Sequence, residues 1–394
     1  MVKRERELAR MRGLKDRQVI KVVTGVRRCG KSTLLQQFRE ELLAEGTAPE
    51  RIVALNLEEL ENEPLLEYHA LYNAVKERLQ SGKTTYVFLD EVQNVPEFQK
   101  AVDALFIQPG VDLYITGSNA RLLSGELATL LSGRYVEIPL LPLSFREYVE
   151  LVGGDRRDAW NSYFRMGGFP FAAGLNDEGT RRDYLNGIYH TVLLKDVVER
   201  NHVQDVALLE SMIRYVFANV GNIVSAKKIA DSLISAGRRT TSATVDRYLT
   251  ALGDAFLLYR VGRYDVSGKQ YLQSLDKYYP VDVGLRRLLL TDKSADIGHI
   301  LENIVFLELL RRGHRVSIGK VGDTEVDFVA ESSSGKAYYQ VSASVLDPST
   351  CAREMRPLKQ IRDNYPKIIL TLDEYPMDDN GILVQNVIDW LLQG

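Results

Sequence analysis

The sequence predicts a multidomain α/β protein whose first domain is a parallel sheet with crossover helices, and three observations lead there. The chain of 394 residues is too long for one ordinary core. Over its first third, short apolar runs alternate with amphipathic stretches, the order of a parallel sheet. A glycine-rich loop, residues 25–32, joins the first apolar run to the first amphipathic stretch.

Bulk properties narrow the function. Apolar residues make up 45% and charged residues 26%, the balance of a folded globular chain. A formal net charge of −3 carries no whole-chain signature for nucleic acid or anionic membrane, so such binding needs a local patch. Two cysteines, Cys29 and Cys351, exclude a disulfide framework and a cysteine zinc cluster and suit a reducing compartment. Residues 1–12 are charged and lack a signal-peptide core, and no later run is apolar enough to span a bilayer. A cytoplasmic protein without membrane contact is expected.

Element by element, Gln18 to Thr24 reads as a buried strand. Ser32 to Glu45 reads as a helix with Leu34, Leu35, Phe38, Leu42 and Leu43 on one face. Further strands are expected at Arg51 to Leu57, Thr85 to Leu89 and Val111 to Thr116. From Ser144 to Arg200 the text turns helical, with Phe145, Tyr148, Trp160, Tyr163 and Phe164 as anchors, and Gly167-Gly168-Phe169-Pro170 must end a helix. This region is read as a lid or connector, so the first domain is set at 1–200.

Residues 201–285 form a second unit. Helices are expected at Val206 to Asn219, Ala226 to Ser235 and Ala243 to Leu252, then strands at Phe256 to Tyr264 and Lys277 to Val281, the order of a winged helix-turn-helix. A third unit, 286–394, opens with a helix at Ile300 to Arg312. Strands follow at Arg315 to Ile318, Glu325 to Glu331 and Lys336 to Ser342, and the unit closes with helix, strand and helix. Ser332 to Gly335 is its hairpin turn.

The loop Gly25-Val26-Arg27-Arg28-Cys29-Gly30-Lys31-Ser32, with Thr33 after it, has the P-loop spacing in the P-loop context. Glycines let backbone amides face phosphates, and the helix that follows adds its positive N-terminal end. Lys31 is expected on the β- and γ-phosphates of ATP and the Ser32 hydroxyl on Mg²⁺. Arg27 and Arg28 are less easily assigned.

Tyr86 to Leu89 runs into Asp90 and Glu91, which suits a magnesium partner and a base for the attacking water. Gly117, Ser118 and Asn119 end the next strand. Ser118, with Asn119 close behind, is the candidate γ-phosphate sensor, although both residue types also suit a plain turn.

Taken together, Thr-Gly-Val-Arg-Arg-Cys-Gly-Lys-Ser-Thr, Leu-Asp-Glu-Val-Gln, Ile-Thr-Gly-Ser, Ser-Gly-Arg-Tyr, Pro-Leu-Ser-Phe-Arg-Glu-Tyr and Gly-Gly-Phe-Pro make the chain resemble a prokaryotic family of AAA+-like P-loop ATPases. These carry a C-terminal domain of unknown function, and the resemblance spans nearly the whole sequence. It implies an AAA+-type module, a winged helix, a restriction-nuclease-like C-terminal fold and a homo-oligomer, ring or partial ring. It also implies that an arginine from one subunit completes its neighbour's site, and the matching position is Arg134.

Arg238, Arg239, Thr240, Ser242 and Arg247 fall near the start or outer face of the recognition-type helix, where such folds meet DNA. Eight Lys or Arg against six Asp or Glu between Asn201 and Asp265 give only a small basic excess, so protein contact is an equal alternative. In the third unit, the resemblance maps Glu302, Asp327 and Gln340 onto the metal positions of a restriction-type core. The sequence departs from that pattern where it matters, because Ser342 stands where the core needs a lysine and Gln340 where it usually has an acid. Either nuclease activity is lost or Lys336 or Lys359 has taken over.

The reading is a Mg²⁺-dependent ATPase acting on or sensing DNA, with the nuclease degenerate. Its rivals are a nucleotide-controlled switch whose C-terminal domain binds a protein, and an ATP-gated DNA nuclease.

Overall fold

The computed structural model describes residues 2–120, 133–290 and 297–393. The chain divides into two compact units, Met1–Leu140 with Asp254–Phe256, and Leu141–Gly253 with Leu257–Gly394.

In the first unit, strands β1 (Ile20–Thr24), β2 (Ile52–Asn56), β3 (Thr85–Asp90), β4 (Val111–Gly117) and β5 (Tyr135–Pro139) form one sheet in the order β2-β3-β4-β1-β5. Every neighbouring pair is parallel. Helices α1 (Glu5–Leu14), α2 (Lys31–Ala44), α3 (Tyr68–Lys76) and α4 (Phe98–Phe106) accompany it. Val22, Val53, Val87, Leu89 and Ile115 share a core with Leu71 and Val75 of α3 and with Val102 and Leu105 of α4. On the other face Phe38 of α2 packs on Phe88 and Tyr114, with ring centroids 6.4 and 5.2 Å away.

Both faces of the sheet are therefore covered, which is why its strands read as unbroken apolar runs. Among the exceptions are Lys21 of β1 and Asp112 of β4, a buried pair beside Tyr114 in which Lys21 also donates to the Arg17 carbonyl at 2.8 Å. Strand β5 was not expected from the sequence: only Ile138 of its residues is buried, so its hydrophobic signal is short.

The second unit opens with α5 (Phe145–Val152), α6 (Arg156–Met166), α7 (Pro170–Ala173) and α8 (Glu178–Thr191), and α8 runs on as a π-helix through Val192–Glu199. The three helices expected next are α9 (Val206–Ala218), α10 (Ala226–Ser235) and α11 (Ser242–Asp254). They lead into an antiparallel hairpin of β6 (Leu258–Asp265) and β7 (Gln270–Pro280). After α12 (Val283–Leu289) come α13 (Ile297–Arg311), β8 (Arg315–Val321), β9 (Thr324–Ser332), β10 (Gly335–Val341), α14 (Pro348–Gln360), β11 (Lys367–Thr371), β12 (Met377–Asp379), β13 (Ile382–Asn386) and α15 (Val387–Leu392).

The hairpin does not stand apart from the strands that follow. β6 pairs in parallel with β8, Tyr264 opposite Gly319, which makes one eight-stranded sheet in the order β12-β13-β11-β10-β9-β8-β6-β7. α13 lies on one face, where Phe306 stacks on Tyr279 at 4.5 Å and meets Phe328 at 6.0 Å. Met355 and Leu358 of α14 cover the other, against Val326, Val329 and Ile369. Apart from Asp254–Phe256, the segments expected as a connector (144–200), a winged helix (201–285) and a nuclease-like domain (286–394) thus fall in the second unit.

The Gly-Gly-Phe-Pro turn has a direct cause. The buried Asp282 carboxylate accepts from Gly168 N at 2.6 Å and Gly284 N at 2.8 Å, which brings it against the turn. A Cβ on Gly167 would lie 1.9 Å from Asp282 Oδ1, at a φ of +74°. A Cβ on Gly168 would lie 2.4 Å from the Leu143 carbonyl oxygen. Gly167→Ala is expected to cost about 2 kcal/mol or more by overpacking and a left-handed backbone, lowering the midpoint of thermal unfolding by roughly 4 °C or more. A melting curve on the full chain that matches the parent would refute this account of the turn.

Candidate nucleotide-binding site

The loop between β1 and α2 requires glycine at both ends. Gly25 has a φ of +152°, and a Cβ there would lie 2.1 Å from the Leu140 carbonyl oxygen. Gly30 takes a left-handed φ of 109° as the residue before α2, and no side chain caps that helix, which leaves its first amides available to a ligand. Val26 and Cys29 are buried, and burial pushes the Cys29 thiol up, so it is held protonated. Arg27 is half-buried and pairs with Glu58 at 2.5 Å, while Arg28 is exposed at a φ of 69°. Thr33 is half-buried on the first turn of α2.

Lys31 is buried under this loop. Its ammonium donates to the Gly25 carbonyl at 3.2 Å and pairs with Glu91 Oε1 at 3.1 Å. Burial alone would lower its pKa, but the carboxylates of Glu91 and Asp90 outweigh that and raise it. Asp90 ends β3 and accepts hydrogen bonds from the Ser32 and Thr116 hydroxyls. Burial pushes its carboxyl up, and the two hydroxyls offset this only in part. Glu91 follows with a left-handed φ of 53°. Burial pushes its carboxyl up too, but Lys31 and a hydrogen bond from the Gln93 amide hold it below the usual carboxylate range.

Strand β4 lies between β1 and β3, and its end supplies the rest of the site. Thr116 Oγ1 donates to Asp90 and accepts from Glu91 N at 2.8 Å, so one hydroxyl sets both acids. Ser118 and Asn119 are buried just past the strand, and Ser118 Oγ lies 3.4 Å from the same Gln93 amide that holds Glu91. Thr116 and Gln93 were missed in the sequence, although both lie within or beside motifs noted there. A cleft of ≈ 410 Å³ opens beside Ser32 and Asp90 and is lined by Asn56, Glu59 and Phe88. The Ser32 hydroxyl and the Asp90 carboxylate, already hydrogen-bonded together, are the oxygen donors that suit Mg²⁺.

Arg134 lies at the other end of the sheet. Its carbonyl accepts from Ile20 N, before the first β1–β5 pair, so roughly 16 Å of strand separates it from the loop of its own chain. Its guanidinium pairs with Asp103 and lies 5.7 Å over the Phe106 ring.

In the second unit, Arg238, Arg239 and Ser242 are exposed at the α10–α11 turn, Thr240 is half-buried, and exposed Arg247 stacks on Tyr248. Thr241 Oγ1 accepts from Thr244 N at 3.2 Å. Glu302 of α13, Asp327 of β9 and Gln340 of β10 do converge. Asp327 N donates to Gln340 Oε1 at 3.2 Å, and Val341 N donates to Asp327 Oδ2 at 2.9 Å.

Ser342 is turned to the Ser344 carbonyl at 3.0 Å. Neither lysine suggested from the sequence reaches these acids. Lys336 pairs with Glu331 at 2.9 Å and Lys359 with Asp379 at 2.6 Å. The cation found there is Lys277 of β7, buried, with its Nζ 3.0 Å from Glu302 Oε1 and 3.7 Å from Asp327 Oδ1.

Residues 17–149 match the family described as AAA domain, and residues 157–296 match a Domain of unknown function (DUF8612). An uncharacterized protein of Haemophilus influenzae is 41% identical over 400 residues, which is 100% of this chain and 99% of that one. The chain belongs to that protein's family. Its first unit carries the AAA domain. A second relative, an uncharacterized protein of Methanocaldococcus jannaschii, is 31% identical over 334 residues, 79% of this chain and 71% of its own. Among solved structures, the Walker-type ATPase paby2304 of Pyrococcus abyssi superposes with a TM-score of 0.52 at 15% identity, covering 73% of this chain and 96% of that one. That likeness is one of fold, and with the parallel sheet and phosphate loop it makes the first unit an AAA+-like P-loop domain. No helix among the described residues is long and apolar enough to cross a membrane.

Proposed function

We propose that the chain is a Mg²⁺-dependent ATP hydrolase that acts on or senses DNA as a cytoplasmic homo-oligomer. The observation that carries the reading is the convergence of Lys31, Ser32, Asp90 and Glu91 at the C-terminal ends of β1 and β3. Mg²⁺ held by Ser32 and Asp90 would neutralise charge on the phosphate oxygens. The triphosphate takes the place of Glu91 as partner of Lys31, and amides of the loop from Gly25 to Thr33 line it. Released from Lys31, the Glu91 carboxylate takes a proton from the attacking water as that oxygen bonds to the γ-phosphorus and the bond to the ADP oxygen breaks. Gln93 and Ser118 hold Glu91 in line, with Asn119 beside them, and Arg134 of a neighbouring copy meets the γ-phosphate.

For the second unit we propose a winged helix (201–285) and a degenerate restriction-nuclease-like core (286–394). The helix order α9, α10, α11 before an antiparallel hairpin supports the first, and the order α13-β8-β9-β10-α14-β11 supports the second. Exposed Arg238, Arg239 and Arg247 are the candidate phosphate contacts.

ATP turnover measured with and without single-stranded, duplex and branched DNA tests the reading. Turnover is expected to rise with at least one of them, and binding to weaken steeply with salt as counterions are released. Turnover indifferent to every DNA, with no binding at low salt, would end the DNA assignment. The Lys31–Glu91 pair favours a second reading in that case, a switch whose base is withheld and which keeps its nucleotide bound.

A further inference from the structure

A restriction-type core implies a divalent cation between its acids, yet the groups present here do not fit one. Glu302 Oε1 accepts from Lys277 Nζ at 3.0 Å and from the Tyr279 hydroxyl at 2.6 Å, while Oε2 faces His299 Nδ1 at 3.8 Å. Asp327 Oδ1 faces the same ammonium, and Oδ2 accepts from Val341 N. The Gln340 oxygen is taken by Asp327 N, and its amide nitrogen donates to Glu354 at 2.7 Å. The place between Glu302 and Asp327 that a divalent ion would use is thus taken by the Lys277 ammonium, and the Gln340 oxygen by Asp327 N. Among the described residues no group of three His, Cys, Asp or Glu side chains is arranged to hold a metal ion.

The charges close on themselves as well. Burial opposes the Lys277 ammonium, but Glu302 and then Asp327 outweigh it, so the lysine stays protonated. Burial and the neighbouring Glu302 push the Asp327 carboxyl up, as expected where one cation serves two acids. The centre is also shut from the α9–α10 side: Gly221 sits at a φ of +75° where a Cβ would lie 2.6 Å from both Glu302 Oε2 and His299 Nδ1.

We propose that Lys277 is a resident counter-ion occupying the place of the divalent cation, so that Glu302 and Asp327 bind no metal and instead tie the β6–β7 hairpin to α13 and β9. The inference rests on the restriction-like reading of the second unit. It assigns that centre a new task, a junction joining the β6–β7 hairpin to α13 and β9.

Mn²⁺ titration of the nucleotide-free full chain, followed by the loss of the free-ion paramagnetic resonance signal, tests it. The parent chain is expected to take up no Mn²⁺ that Asp327→Asn removes. Lys277→Ala vacates the cation place and is expected to take up one equivalent, which Asp327→Asn then abolishes. Circular dichroism checks folding, and Lys277→Gln, which keeps a hydrogen-bond donor toward Glu302, serves if the alanine variant does not fold. A folded Lys277 variant without Mn²⁺ uptake overturns the proposal, and so does Asp327-dependent uptake by the parent. Metal-dependent DNA cleavage by the parent that Lys277→Ala abolishes would overturn the degenerate reading itself, since Lys277 would then be a catalytic lysine.

Discussion

Lys31→Ala is expected to abolish ATP turnover and weaken nucleotide binding strongly, whereas Glu91→Gln should keep ATP bound and slow hydrolysis by roughly 10²–10⁴-fold, the usual worth of a positioned base. The two differ because Lys31 meets phosphate charge in the ground state, while Glu91 acts only on the attacking water. The structure adds a second readout. Lys31 and Glu91 are buried 3.1 Å apart, so removing the lysine strands a buried carboxylate, and breaking such a pair typically costs about 3–5 kcal/mol. Nucleotide-free Lys31→Ala should therefore melt well below the parent, and adding Glu91→Gln should restore part of the loss. Rates, nucleotide binding and melting of the three variants check this. Parent-like turnover in both single variants would remove these residues from the site.

Arg134→Ala should lower turnover by about 10³-fold or more, the scale of an arginine finger, while each protomer still binds nucleotide. Its own chain cannot use it, since Arg134 lies at the N-terminal edge of the sheet and the phosphate loop at the opposite edge. Mixing Arg134→Ala with Lys31→Ala is the decisive measurement. A mixed assembly pairs an intact loop on one copy with an intact arginine on the next, so activity absent from either variant should return. No recovery at any ratio, with mixed assemblies demonstrated, would rule out a shared site. Arg134 is itself exposed and its pair with Asp103 lies at the surface, so removing its side chain should leave folding unchanged.

What could be read without the structure was whatever is encoded over short stretches. Gly25 to Ser32 names its own geometry because two glycines, a lysine and a hydroxyl must fall at fixed spacing between a strand and a helix. Asp90 and Glu91 are legible because an apolar run must end in them. The helices at 206–218, 226–235 and 242–254 follow from periodicity in the same way. Even the turn at Gly167 and Gly168 was visible, although its cause, the carboxylate of Asp282 more than a hundred positions away, was not.

The tertiary structure alone decided everything that depends on distant partners. Thr116 and Glu91 are 25 residues apart, as are Lys277 and Glu302, and a threonine or a lysine in a strand carries no local mark of the acid it will meet. The substitute for the missing lysine was sought among Lys336 and Lys359, near the motif in sequence. The lysine that meets Glu302 and Asp327 is instead Lys277 of β7, because the parallel pairing of β6 with β8 puts that hairpin in the same sheet as β9. Local propensity and motif spacing thus determined many of the elements and the phosphate loop, though not β5 or β12. Strand order, register and buried charge pairing, whose energies arise only once remote segments meet in a low-dielectric interior, determined which of the remaining polar residues act together.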